Sequence, residues 1–260
     1  MNYQIPPDRF LPYLTTAEVE ALPKEHAVVV LPVAAIEQHG PHLPVFTDTM
    51  ILNAVLSRAL ESLDAEVSVF AMPPLPYGKS NEHAGYAGTV YLSSETFITV
   101  LKEICGCLAK SGFKRIAILN CHGGNTEIVS FVIRDIREQH GVKVFSIEPW
   151  RPLGGAKDPI TPGGGYDIHA GEGETSVMLA IAPSLVHEEL APSSMPSKLQ
   201  EMGYPPGGGA LTFAWLMPDI SATGVVGDAT KASAEKGRVM LDLYASRVAA
   251  LLQKISVFEF

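Results

Sequence analysis

Four apolar runs of strand length, near residues 28–33, 67–72, 115–119 and 142–147, are separated by stretches with helical periodicity. The first of these runs is continuously apolar rather than alternating, so it reads as a strand buried on both faces. The intervening helices read as 47–63, with Ile51, Leu52, Val55, Leu56 and Leu60 on one face, 94–110 ended by Gly112, and 126–139 ended near Gly141. Strand and helix in strict alternation predict an α/β fold whose parallel sheet is covered on both faces. A short capped helix at 16–22, an apolar helix at 177–182 and a long amphipathic helix at 232–255 complete the pattern. Residues 151–165 read as a mobile surface loop. Residues 190–225 are rich in Pro, Gly and Met, show no clear period, and read as packed against a neighbouring subunit. No composition break divides the chain, so residues 1–260 form one domain.

In an open parallel sheet, ligands bind where loops leave the carboxyl ends of the strands. Three such loops carry unusual residues. After the first strand come Glu37, His39, His42 and Asp48, on a segment that Gly40, Pro41 and Pro44 keep irregular. After the 115–119 strand comes His122, inside Asn120-Cys121-His122-Gly123-Gly124-Asn125. Before the 177–182 helix come His169, Glu172 and Glu174. A long irregular stretch, 73–89, adds His83, Tyr77, Lys79 and Tyr86. Imidazole nitrogen and carboxylate oxygen suit zinc, manganese and iron, and this set is large enough for two ions sharing a carboxylate.

Plainer readings stand beside this one. His122 serves a tight turn, Glu172 and Glu174 are first-turn acids favoured by a helix dipole, and His42 and His83 only pack or hydrogen-bond. A phosphate cradle is disfavoured, because the glycine turn has neither GxGxxG nor a P-loop lysine. The net charge of −9, with no basic run, argues against nucleic acid and anionic membranes. No stretch approaches the ~18 apolar residues of a membrane span. Cys105, Cys107 and Cys121 have no disulfide or metal spacing, and with no signal-like start this predicts a cytoplasmic protein.

The residues resemble the creatininase (creatinine amidohydrolase) family. The resemblance is carried by the segment 31–44 with Asp48, by Pro76-Tyr77-Gly78, and by Glu82-His83 with Gly88-Thr89. Asn120 to Asn125, His169 to Ser176, and 224–228 with 234–237 extend it in order over nearly the whole chain. It implies a three-layer α/β/α sandwich with a mostly parallel sheet, two divalent metal ions per subunit (Zn2+, Mn2+ or Fe2+) and a homohexamer. It implies that Glu37, Asp48 and His122 hold one ion and that His39 and the bridging Asp48 hold part of the second. His169 matches the family's catalytic histidine, with Tyr77, His83, Trp150 and Asn125 on the substrate side. Creatininase itself carries a metal-binding glutamate where this chain has Gly124. Glu172, three residues after His169, is the expected substitute, and Glu174 the expected proton carrier beside His169.

The activity implied is hydrolysis of a small-molecule C–N bond, in a cyclic amide, a formamide or a small peptide, by a metal-activated water. Loss of one aromatic expected before His169 argues against creatinine. The competing classes are a metal-stabilised binding protein without catalysis and a hydrolase of C–C or phosphoester bonds. The first predicts fully coordinated ions, which leaves His169 without a task; a phosphoester hydrolase wants more basic residues than Lys79 and Arg151.

Overall fold

The computed structural model describes residues 4–152, 162, 166–201, 203 and 213–260. The expected loop at 151–165 and the centre of 190–225 lie largely outside the described residues.

Four parallel strands form one sheet: β1 (Val28–Val33), β2 (Val69–Ala71), β3 (Arg115–Asn120) and β4 (Lys143–Ile147), in the order β2-β1-β3-β4. β1 and β3 run side by side over their whole length, from Val28 opposite Arg115 to Val33 opposite Asn120. Every residue of both is buried, as continuous apolar runs require.

Alternate residues of these strands face two separate cores. Val28, Val30, Ala117 and Leu119 pack on α2 (Thr47–Glu61), α5 (Glu172–Ile181) and α8 (Ala234–Ser256). Val29, Leu31, Val33, Ile116 and Ile118 pack on α3 (Ser94–Lys110) and α4 (Thr126–His140). The result is a mostly parallel sheet with helices on both sides, the three-layer architecture expected. The helices end where their capping chemistry places them. Thr15 and Glu18 form a capping box before α1 (Thr16–Ala21), and Gly141 closes α4 with φ +66°. Ser93 caps α3 by accepting from the Thr96 N–H.

The region 190–225 is less formless than its composition suggests. Its described part contains the two-residue strand β5 (Ser193–Ser194), α6 (Ser197–Glu201) and α7 (Met217–Ile220). β5 pairs antiparallel with β6 (Gly227–Asp228). Elements this short carry no readable period.

Helices α5 and α8 pack closely at Gly237. A β-carbon on Gly237 would lie 1.8 Å from the Ser176 carbonyl oxygen. The backbones can meet here only because position 237 has no side chain. Gly237→Ala should therefore cost about 1–3 kcal/mol of stability, measured by urea unfolding; a change under ~0.5 kcal/mol would show that the helices do not meet at this point.

Candidate active site

The carboxyl ends of β1 and β3 and the first turns of α2 and α5 converge on one buried cluster. Glu37 and His39 follow β1 on a loop closed by the Glu37 N–H donating to the Val45 carbonyl at 3.0 Å. Asp48 enters from the first turn of α2, His122 from just past β3, and His169 and Glu174 from the chain entering α5. His169 is pinned by backbone pairing with Val226, at 2.8 and 3.1 Å. Glu37, His39, Asp48, His83, His122 and His169 are all buried.

A backbone carbonyl orients each of three imidazoles. His39 Nδ1 donates to the Glu37 carbonyl at 3.0 Å, His122 Nε2 to the Lys79 carbonyl at 2.8 Å, and His169 Nε2 to the Gln38 carbonyl at 2.8 Å. The other nitrogen of each ring then carries a lone pair, and each lone pair faces carboxylates. His39 Nε2 lies 3.1 Å from Asp48 Oδ1 and 3.7 Å from Glu174 Oε2. His122 Nδ1 lies 3.0 Å from Asp48 Oδ2 and 3.3 Å from Glu37 Oε1. His169 Nδ1 lies 3.6 Å from Glu37 Oε1. Acceptor facing acceptor in a dry site needs a positive charge between them, either a proton or a metal ion. Among the described residues, buried Glu37 Oε2 and Asp48 Oδ2 find no hydrogen-bond partner. The donor set therefore fits divalent metal. Among the described residues, three groups offer ligand atoms within 4.8 Å of one another: Glu37, His39 and His169; Glu37, Glu82 and His122; and His39, Asp48 and Glu174.

Proton affinities follow the same geometry. Burial opposes a charged His39, but Asp48, Glu174 and Glu37 outweigh it and push its pKa up to about 10. His122 is raised in the same way, by Glu37 and Asp48 against burial. Burial would raise Glu37, but His122, His169 and His83 hold it well below the usual carboxylate range. Burial lowers His169, and neighbouring His39 lowers it further, so that ring is neutral. Burial pushes Glu174 up to about 7 against the pull of His39.

Two expectations are corrected. Glu172 does not join the cluster: its Oε1 accepts from Lys236 Nζ at 2.6 Å, and it belongs to none of the three groups. Glu174 stands beside His39 and Asp48 instead, its Oε2 accepting from the Ala170 N–H at 2.6 Å. The helix begins only at Glu172, so the three-residue spacing from His169 puts no two side chains on one face. Asn125, expected on the substrate side, spends its side chain on hydrogen bonds within the fold. It is fully buried, its Oδ1 accepts from the Lys79 N–H, and its Nδ2 donates to the Ala34 carbonyl and Asn120 Oδ1. It clamps the turn that presents His122. His83 is buried too, with its ring 4.3 Å from that of His169 and its Nε2 3.7 Å from Glu37 Oε2. Tyr77 is exposed, and Trp150 packs half-buried on Ala34, Leu52 and Cys121, one residue from His122.

Two residues were missed. Glu82 lies 3.7 Å from His122 Nε2. Gln38 ties the cluster together: its Nε2 donates to the Gly224 carbonyl at 2.7 Å and to His83 Nδ1 at 2.8 Å, and its Oε1 accepts from the Gly40 N–H at 2.9 Å. His83 is thereby fixed with its proton on Nε2, toward Glu37. The sequence signal lies at Gly224 (φ +77°), where a β-carbon would stand 2.3 Å from Gln38 Oε1.

The pattern of the creatininase family, described as creatinine amidohydrolase, matches residues 12–252. A mycofactocin precursor peptide peptidase of Mycobacterium tuberculosis is 34% identical over 248 residues, covering 91% of this chain and 90% of the relative. Creatinine amidohydrolase of Pseudomonas putida is 31% identical over 263 residues, covering 94% and 96%. A solved structure of manganese creatininase superposes with a TM-score of 0.73 at 26% identity, covering 95% of this chain and 98% of that one.

Removing Gln38 tests the tie directly. Gln38→Ala should cost about 1–3 kcal/mol by stranding buried partners, and should release His83 from a single tautomer, read from nitrogen chemical shifts of labelled histidine. An unchanged His83 spectrum would remove Gln38 from this role. With its matched pattern, relatives and fold, the chain belongs to the creatininase family of metal-dependent amidohydrolases.

Proposed function

We propose that the chain hydrolyses an amide bond with two divalent cations held side by side by the cluster. Glu37, Asp48 and His122 would hold one; His39, Asp48 and Glu174 the other. The observation that carries this is the placement of Asp48. Its two oxygens face different imidazoles, Oδ1 toward His39 at 3.1 Å and Oδ2 toward His122 at 3.0 Å. One carboxylate between two nitrogen-and-carboxylate groups is the arrangement a shared bridging ligand requires.

Divalent cations held by these residues would supply Lewis acidity toward water and an amide carbonyl. The protein does the rest. Glu174 is held in place by the Ala170 N–H, from where its carboxylate would reach the ion beside His39. His169 is neutral, its Nε2–H committed to the Gln38 carbonyl, and its Nδ1 is free to accept a proton at the Glu37 side. Exposed Tyr77 and half-buried Trp150 offer apolar surface at the substrate side. Two relatives named for a peptide peptidase and for creatinine amidohydrolase both support an amide substrate. The stronger likeness, at 34%, favours a small peptide over a cyclic amide. The family pattern over residues 12–252 supports a single domain, and three cysteines without a disulfide support a cytoplasmic setting. Exposed Phe213 and Leu216, beside α7, support burial by another copy in a hexamer.

Metal analysis of the purified protein, joined to a hydrolysis screen of peptides, lactams and formamides, tests the function. Asp48→Asn should lose both ions and Glu174→Gln only one; retention of both ions by Asp48→Asn would end the shared-ligand reading. Because His39 is protonated up to about pH 10 in the metal-free protein, cation binding must expel protons. Affinity should therefore fall as pH falls from 8 to 6, and calorimetry in buffers of different ionisation enthalpy should show net proton release. Binding without proton release would contradict the assignment of His39.

A further inference from the structure

We propose that Glu82 is a further carboxylate that backs the cation site of Glu37, Asp48 and His122 from the Nε2 edge of His122, admitted there because Gly124 has no side chain. The inference rests on the two-cation reading above. Position 124 lies two residues past His122, in the turn Gly123–Asn125. A β-carbon on it would stand 2.3 Å from the Lys79 carbonyl oxygen, 2.4 Å from Glu82 Oε1 and 2.6 Å from His122 Nε2. The first of these contacts is with backbone, so no change of rotamer relieves it. Any side chain at 124 would push residues 79–82 off the histidine. With glycine, the segment closes down and brings three groups to one edge of the ring: the Lys79 carbonyl at 2.8 Å, Ser80 Oγ at 3.1 Å and Glu82 Oε1 at 3.7 Å.

Glu82 is in an expensive position for an acid. Its side chain is 19% exposed, and its one ion-pair partner among the described residues is His122. That partner already gives its Nε2 proton to the Lys79 carbonyl. Glu82, Glu37 and His122 nevertheless present ligand atoms within 4.8 Å of one another. Glu37 Oε2, buried in the same group, has no hydrogen-bond partner among the described residues. Two carboxylates this close repel each other in a dry site, and the imidazoles of His39 and His122, already faced by Asp48, Glu37 and Glu174, cannot neutralise every acid. A divalent cation can. Glu82 supplies charge to the His122 side, as Glu174 does to the His39 side. Gly124 is therefore the seat of an acid that arrives from elsewhere in the chain.

The test is zinc content and zinc affinity, by chelator competition, for the full chain and for Glu82→Gln, Ser80→Ala and Glu174→Gln. Glu82→Gln should weaken one ion by about tenfold or more, leave the other unchanged, and leave the melting temperature of the metal-free protein where it was. Glu174→Gln should weaken the other ion. Unchanged affinities in Glu82→Gln overturn the proposal. So does a lowered metal-free melting temperature, which would make Glu82 a packing residue. So does an equal loss in Ser80→Ala, which removes an uncharged neighbour of the same nitrogen. If the unaltered chain binds a single zinc, the two-cation reading fails instead, and weakening of that ion by Glu82→Gln would still uphold the role of Glu82.

Discussion

Three imidazoles held by three backbone carbonyls, each turning a lone pair toward a carboxylate, set the terms for the rest of this molecule. His39, His122 and His169 are each fixed from behind and face Asp48, Glu174 or Glu37 at 3.0–3.7 Å. Such an array collapses or takes up cations unless its backbone is rigid. The rigidity comes from β1 and β3, paired over six residues each and buried between two apolar layers. The ligand-bearing loops leave those strands at the same end, and the helices that follow contribute acids from their first turns, where the helix dipole favours negative charge. Dry layers above and below keep water from screening the cluster, which is why His39 and Glu37 sit so far from their ordinary proton affinities.

How far this was legible in the sequence depended on what each residue follows. The sheet and its main helices were readable because apolar runs and helical periods are long, and helix ends carry caps. Glu37, His39, Asp48 and His122 were readable as a group because each follows a recognisable strand, and parallel sheets gather such positions at one edge. Glu172 and Glu174 were not, since the choice between them turns on where a helix begins. Once the helix starts at Glu172, the two acids lie about 200° apart around it, and only one can face the cluster. Gln38 and Glu82 were hidden for another reason. A neutral amide between two stronger candidates, and an acid on an irregular loop, look ordinary until the fold closes on them. What marks them is a pair of glycines far away in sequence, Gly224 and Gly124, whose missing side chains leave room for Gln38 and Glu82. A glycine in a sequence says that something comes close, but not what.

The same logic explains the entry to α5, where the chain accepts local strain to aim one acid. Ala170 adopts φ +53°, a left-handed conformation costing about 1–2 kcal/mol for a residue with a side chain. Around it, Asp167 accepts from the Glu172 and Gly173 N–H groups, both at 2.7 Å, and so caps the helix from five and six residues away. A β-carbon on Gly171 would lie 1.7 Å from Asp167 Oδ1, so the cap fits only against glycine. The bend at Ala170 turns its own N–H toward Glu174, which accepts it at 2.6 Å, and that bond holds the carboxylate 3.7 Å from His39. The opposite face of the same helical turn sends Glu172 to Lys236 at the start of α8. Charge on one face of α5 serves the cluster, and charge on the other ties the helix to α8 beside the Gly237 crossing. A shift of α8 would therefore reach the site through one turn of helix, with Glu172 as the anchor and Glu174 as the group displaced.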